Sequence, residues 1–243
     1  MVRENEGRTP VVDLLREREA TKLSAFFGET VVVPRAPQLL WKTLETLKSK
    51  RITIFSPHYL PAKKFEEKSE YPGWHTRPQE WFWEQIEEGE LSADSANLPG
   101  VWVLVDHSVL QRDPFGNILG KLFERRYRKS EFPTLDHWDP RLNISAHDLD
   151  RMVFPALRSR FELEGDKVEV RSPRAIEFNF LGNLHHPEFA NSPHSIWLED
   201  PHLSGSRLVS GNANRGGLTG IDWRRPDLRY DVVGFRPMIV FAR

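Results

Sequence analysis

His185 and His186, followed closely by Glu188, His194 and His202, are the residues in this chain whose types best suit metal ligation. Imidazole and carboxylate donors together fit zinc and its transition-metal neighbours. Adjacent histidines point to opposite faces of a strand, however, and a loop leaves their directions unset. The competing reading is a set of ordinary loop histidines, so the sequence assigns no metal ligand, no cofactor and no catalytic residue. Asp106-His107 and Asp136-His137 are pairs without a convincing nucleophile, and Ser108 beside His107 is adjacency in sequence only. Asn214-Arg215-Gly216-Gly217 is glycine-rich but lacks the Lys-Ser/Thr and the strand–helix setting of a phosphate loop. Glu87 and Glu88 fall on a surface helix, with nothing arguing for acid–base work.

Composition narrows the chemistry further. There are 0 cysteines, which removes disulfides, thiolate metal sites and thiol nucleophiles. The 34 basic and 35 acidic residues balance to a net charge of −1, which argues against a nucleic-acid or membrane-surface partner. The basic run Arg125-Arg126-Tyr127-Arg128-Lys129 therefore reads as a solvated helix face. No apolar run reaches the ~20 residues of a membrane helix. Met1 to Pro10 is polar and lacks the form of a secretory signal, so the expectation is cytoplasmic by default. With 8 Trp and 15 Phe against 4 Tyr, much of the aromatic content must be core.

Periodicity predicts the elements that would position these groups. Helices are expected at 9–27, with Val11, Leu14, Leu15, Leu23 and Phe26 on one face and Gly28 as the stop, at 37–49, and at 78–88. Strands are expected at Val31–Val33, Arg51–Phe55 and Val101–Val105, with 56–78, which contains four prolines, as loop. A short basic helix is expected near 117–128. Ser145 and Asp148 form a capping box opening a helix to about 161, kinked or broken at Pro155. Further strands are expected at Lys167–Arg171, 207–210 and 232–241. The division is an N-terminal mixed helical accessory region, 1–94, and a second domain, 95–243. Together these elements give an α+β class.

Four segments lie in the order found in one known family. Asn143-Ile144-Ser145-Ala146-His147-Asp148 resembles a Val-Ser-Trp-x-Asp-Ala helix opening. Arg171, Pro173, Glu177, Phe178 and Phe180 match places in Arg-Leu-Pro-Thr-Glu-Ala-Glu-Trp-Glu-Tyr. Trp197-Leu198-Glu199-Asp200 falls where a Trp-Glu-Trp motif is expected. Arg207–Gly211, Pro226–Arg229 and Gly234-Phe235-Arg236 resemble Arg-Val-x-Arg-Gly-Gly, Pro-x-x-Arg and a closing Gly-Phe-Arg. In these segments, about 140–241, the chain resembles the formylglycine-generating-enzyme family, whose domain has a C-type-lectin-like fold. The resemblance implies a buried ion pair, for which Glu177 and Arg236 are the candidates, and core roles for Phe178, Phe180, Trp197 and Phe235.

The enzyme's copper chemistry needs paired cysteines, so that activity does not carry over. A related iron-dependent branch uses clustered histidines in an extra domain. The first 94 residues here offer only His58 and His75, with no closely spaced triad. Enzymatic activity is therefore not the leading expectation. The chain is also similar in outline to the variable proteins of diversity-generating retroelements, non-catalytic users of the fold. That resemblance implies a binding surface at 206–232, with Asn212, Asn214, Arg215, Thr219, Asp222, Trp223, Arg224, Asp227 and Tyr230 as ligand-binding candidates and a protein or glycan as partner. Polar side chains interleaved with Trp and Tyr fit a binding surface. The same residues could instead form a salt-bridged loop with Trp223 in the core. Two other functions remain open: a metal-dependent enzyme using His185, His186 and His194, and a phage or assembly component docked through residues 1–94.

Overall fold

The computed structural model describes residues 9–108, 115, 141–163 and 165–242. The helix expected near 117–128, the basic run at 125–129 and the Asp136-His137 pair lie outside these residues. The class is α+β, with two four-stranded sheets.

Helix α1 (Thr9–Phe27) buries Leu15, Glu19, Leu23 and Phe26 along one helical stripe. Leu14, expected on that stripe, is 64% exposed, and the charged Glu19 takes the buried position. Gly28, at φ +71°, ends the helix and donates its N–H to Ser24 O at 2.9 Å. Val31–Val33 forms no strand, and Val32 is left in solvent. Helix α2 (Gln38–Ser49) follows and buries Leu40, Thr43 and Leu47.

The strand expected at Arg51–Phe55 is displaced. Strand β1 runs Phe55–Lys64, through the segment read as loop, with Pro57 and Pro61 inside it. It is an edge strand, where a proline nitrogen turned away from the neighbour removes no ladder bond. After α3 (Glu80–Glu87), strand β2 (Asn97–Asp106) pairs antiparallel with β1 from Phe55↔Asp106 to Lys64↔Asn97. This pairing draws part of the first 94 residues into one sheet with the later strands.

Ser145 Oγ accepts the Asp148 N–H at 3.1 Å, the cap its sequence predicts. The helix it opens is not continuous. A short α4 (Ala146–Asp148) leads into a π-helical turn (Leu149–Val153) and then α5 (Phe154–Arg160). Pro155 explains the break, since its ring and missing N–H interrupt the i−4 ladder. Strand β3 (Val168–Arg171) and helix α6 (Ala175–Leu184) come next. All positions of α6 from Ala175 to Gly182 are buried, as expected of a helix surrounded by core.

Strands β4 (Ser195–Pro201), β5 (Arg207–Ser210), β6 (Ile221–Arg224) and β7 (Val233–Gly234) form the second sheet in the order β6-β5-β4-β7. Strand β8 (Met238–Phe241) returns to the first sheet, ordered β1-β2-β8-β3. Phe178, Phe180, Trp197 and Phe235 are all buried, and Trp197 Nε1 donates to Ile144 O at 2.7 Å. Among the described residues, no helix is long and apolar enough to cross a membrane.

The expected Glu177–Arg236 pair does not form. Glu177 is held instead by Arg171, whose two terminal nitrogens reach its two oxygens at 2.7 and 2.8 Å. Arg171 precedes α6 by a few residues, so this pair closes locally. Arg236 donates to the carbonyls of Asp106 and Ser108 at 2.6 and 3.0 Å and lies over the Phe189 ring.

Candidate functional site

The 206–232 segment builds one open face of the second sheet. Strand β5 is wholly buried and serves as its base. Gly211, Gly216 and Gly217 then carry positive φ values of 99°, 94° and 58°, which turn the chain sharply. Asn212 Oδ1 accepts the Asn214 N–H at 2.9 Å and its Nδ2 donates to Pro193 O at 2.8 Å. It thereby caps the 3-10 turn Ala213–Arg215. A Cβ on Gly220 would stand 1.7 Å from Arg215 O, so only glycine lets the loop close there. Edge strand β6 then returns alongside β5.

The nine candidate residues divide by environment. Asn212 is buried and shapes the turn. Asn214, Arg215, Trp223 and Asp227 are exposed, while Thr219, Asp222, Arg224 and Tyr230 are half-buried. Asp222 accepts from Arg215 at 3.1 Å and forms an ion pair with Arg224 at 2.6 Å. Tyr230 packs on Trp197 with ring centroids 5.9 Å apart, so it belongs partly to the scaffold. Trp223 is 47% exposed, against its alternative place in the core.

Four of the nine, Asn212, Arg215, Asp222 and Trp223, line a single hollow of about 390 Å³ together with Gln79 and Trp81. Gln79 Nε2 donates to Ile221 O at 2.5 Å, joining the N-terminal region to β6. Asn214, Thr219, Arg224, Asp227 and Tyr230 are not on the hollow's lining. No spacing rule could have found Gln79 and Trp81, because tertiary packing brings them in.

A second concentration of chemistry lies elsewhere, in the interior. His185 and His186, at the end of α6, meet His58 from β1 and Glu19 from α1. Glu19 Oε1 is 3.4 Å from His58 Nδ1, and Glu19 Oε2 is 3.4 Å from His185 Nε2. His58 Nε2 lies 3.0 Å from His186 Nε2, and His186 Nδ1 lies 3.0 Å from Glu188 Oε1. The His58 and His185 rings are nearly face to face, with centroids 3.9 Å apart. Burial lowers the His58 and His185 pKa values, and burial with nearby His58 lowers that of His186 to about 4.

His194 and His202 do not join this group. His194 sits in a turn closed by Ser192, and His202 stacks on Trp81 and contacts Gln85 at 2.9 Å. Glu19 was missed, and His58 was set aside for want of a nearby triad, because their partners come from distant segments. One signal was present: Glu19 stands on the Leu15–Leu23 stripe, where a carboxylate has no reason to be unless it is partnered.

Comparison with protein-family models, curated proteins and solved structures gives no match for this chain.

Proposed function

We propose that the chain is a ligand-binding protein displaying the 206–232 surface on a C-type-lectin-like scaffold of the formylglycine-generating-enzyme type. The hollow carries this reading, since Asn212, Arg215, Asp222 and Trp223 converge on it with Trp81 and Gln79. Its size falls within the roughly 300–1,000 Å³ of small-ligand sites. Two indole rings offer flat apolar faces, and the guanidinium, carboxylate and amides around them offer directional hydrogen bonds. That chemistry fits a sugar residue of a glycan, or one side chain of a protein loop. The rigid base also supports the reading: β5 is buried and the turns are set by glycines, so exposed side chains can differ without altering the fold.

The test is binding to a glycan panel and a partner pull-down, comparing wild type with Trp223→Ala and Asp222→Ala. We expect each variant to lose at least tenfold in affinity while keeping its circular dichroism. Undiminished binding by a folded Trp223→Ala protein would sink the proposal. The narrower reading, a variable protein of a diversity-generating retroelement, predicts a near-copy of the codons for 206–232 in neighbouring DNA, differing at adenines.

A further inference from the structure

We propose that Glu19, His58 and His185 form a binding site for one divalent first-row transition-metal ion, separate from the ligand hollow. The carboxylate and the two rings come from α1, β1 and the end of α6, with donor atoms all within 4.8 Å of one another.

The first argument is distance. Glu19 faces each ring at 3.4 Å, long for a charge-assisted hydrogen bond. Metal–nitrogen and metal–oxygen bonds near 2.0–2.1 Å in a tetrahedral site set neighbouring donors about 3.3 Å apart. The two observed separations, each to a different oxygen of Glu19, are close to that spacing.

The second argument is an unpartnered nitrogen. The His185 side chain is buried, and its Nε2 makes no hydrogen bond although it faces Glu19 Oε2 at 3.4 Å. Glu19 is fully buried as well, with the Tyr59 N–H at 3.2 Å from Oε2 and His58 Nδ1 at 3.4 Å from Oε1. A buried ring nitrogen without a hydrogen-bond partner, aimed at a carboxylate and beside a second imidazole, is the donor set that a metal ion would complete. His186 and Glu188 stand where the outer partners of a metal-bound histidine stand, fixing its tautomer.

Two charged groups oppose the ion. Arg18 Nη2 is 3.4 Å from Glu19 Oε1, and Lys22 Nζ is 3.5 Å from His185 Nδ1. Lys22 is exposed and can turn to water, as metal on Nε2 requires, since Nδ1 then carries the proton. Two imidazoles favour zinc, cobalt or iron(II) over magnesium or calcium. Three protein donors leave a further coordination position for water or a small ligand.

The experiment strips the full chain with a chelator and titrates it with Co²⁺ and then Zn²⁺. We expect one equivalent of Co²⁺, with visible ligand-field absorption that Zn²⁺ abolishes. His58→Gln and His185→Gln should weaken binding by more than about 100-fold, beyond the 10–100-fold typical of outer partners. Glu188→Gln should fall within that outer range, Lys22→Met should tighten binding, and His194→Ala should leave it unchanged. No saturable uptake of Co²⁺, Zn²⁺ or Fe²⁺ by wild type overturns the proposal. So does uptake that persists unchanged in a folded His185→Gln protein. If a ligand variant unfolds, the wild-type stoichiometry and spectrum, with the Lys22→Met shift, still decide.

Discussion

The arginines of the scaffold and those of the 206–232 surface read alike in sequence and behave oppositely in the fold. Arg171 is buried and grips Glu177 with two bonds. Arg141 is fully buried and reaches Asp106 at 2.6 Å and Phe235 O at 2.9 Å. Arg215 and Arg225 pair with Asp222 and Asp227 in solvent, and half-buried Arg224 joins Asp222. A buried charge without its partner is expensive, whereas an exposed pair gains little over two hydrated ions. The scaffold arginines therefore hold the fold in one arrangement. The surface arginines remain available to something outside it.

The largest effect that could break this contrast lies at Glu177. Burial opposes ionisation of both partners, yet their mutual attraction outweighs it, lowering the Glu177 pKa and raising that of Arg171. Glu177→Gln takes away the buried two-bond partner of Arg171 and leaves its guanidinium only the exposed Glu169 at 3.5 Å. It should cost about 3–5 kcal/mol in urea denaturation. The double variant Arg171→Met/Glu177→Leu should recover most of that loss. A small cost for Glu177→Gln would show that the two sets of arginines are alike.

Arg207 is an intermediate case, and pH sharpens it. It is buried but reaches Glu199 at 2.8 Å and Asp150 at 2.7 Å toward the surface. Burial raises the Glu199 pKa from 4.5 to about 7 against the pull of Arg207. The folded protein then keeps a proton that the unfolded chain releases. Between about pH 4.5 and 7 the folded state binds more protons, so the Glu199 contribution to stability falls as pH rises. Melting temperatures from pH 5 to 8 should decline less in Glu199→Gln than in wild type. An identical slope would remove this group from the pH response.

The smallest effect belongs to the surface. Arg225 and Asp227 make a two-bond pair at 3.2 and 2.8 Å in open solvent. Arg225→Ala should leave the denaturation midpoint unchanged within error, since exposed pairs are screened. A clear loss of stability would make the surface loop part of the scaffold.

What the sequence reveals follows the range of the forces involved. Helices at 9–27, 37–49 and 78–88 are legible because their apolar spacing is local. The Ser145 cap and the break at Pro155 are also decided within one or two turns. β1 is hidden because its prolines look like loop signals, and only its place at a sheet edge makes them tolerable. The partner of Glu177 is misread because Arg236 and Arg171 are equally plausible until the chain direction after β3 is known. The hollow is half legible: its 212–223 side comes from one segment, while Gln79 and Trp81 arrive from another. The histidine cluster is the least legible, because α1, β1 and α6 meet only in three dimensions. Its local traces are the adjacent His185-His186 and Glu19 among leucines.

The order β1-β2-β8-β3 also bears on biosynthesis. β8 follows every other strand in the chain, yet it lies between β2 and β3 and pairs Val105↔Met238 on one side and Arg171↔Met238 on the other. While a ribosome is still making the second sheet, the nascent chain carries two strands whose inner edges have no neighbour. Such edges recruit other chains. Production in a cell should therefore depend on chaperone supply and temperature more than the finished protein's stability would suggest, with losses concentrated before residues 238–241 emerge.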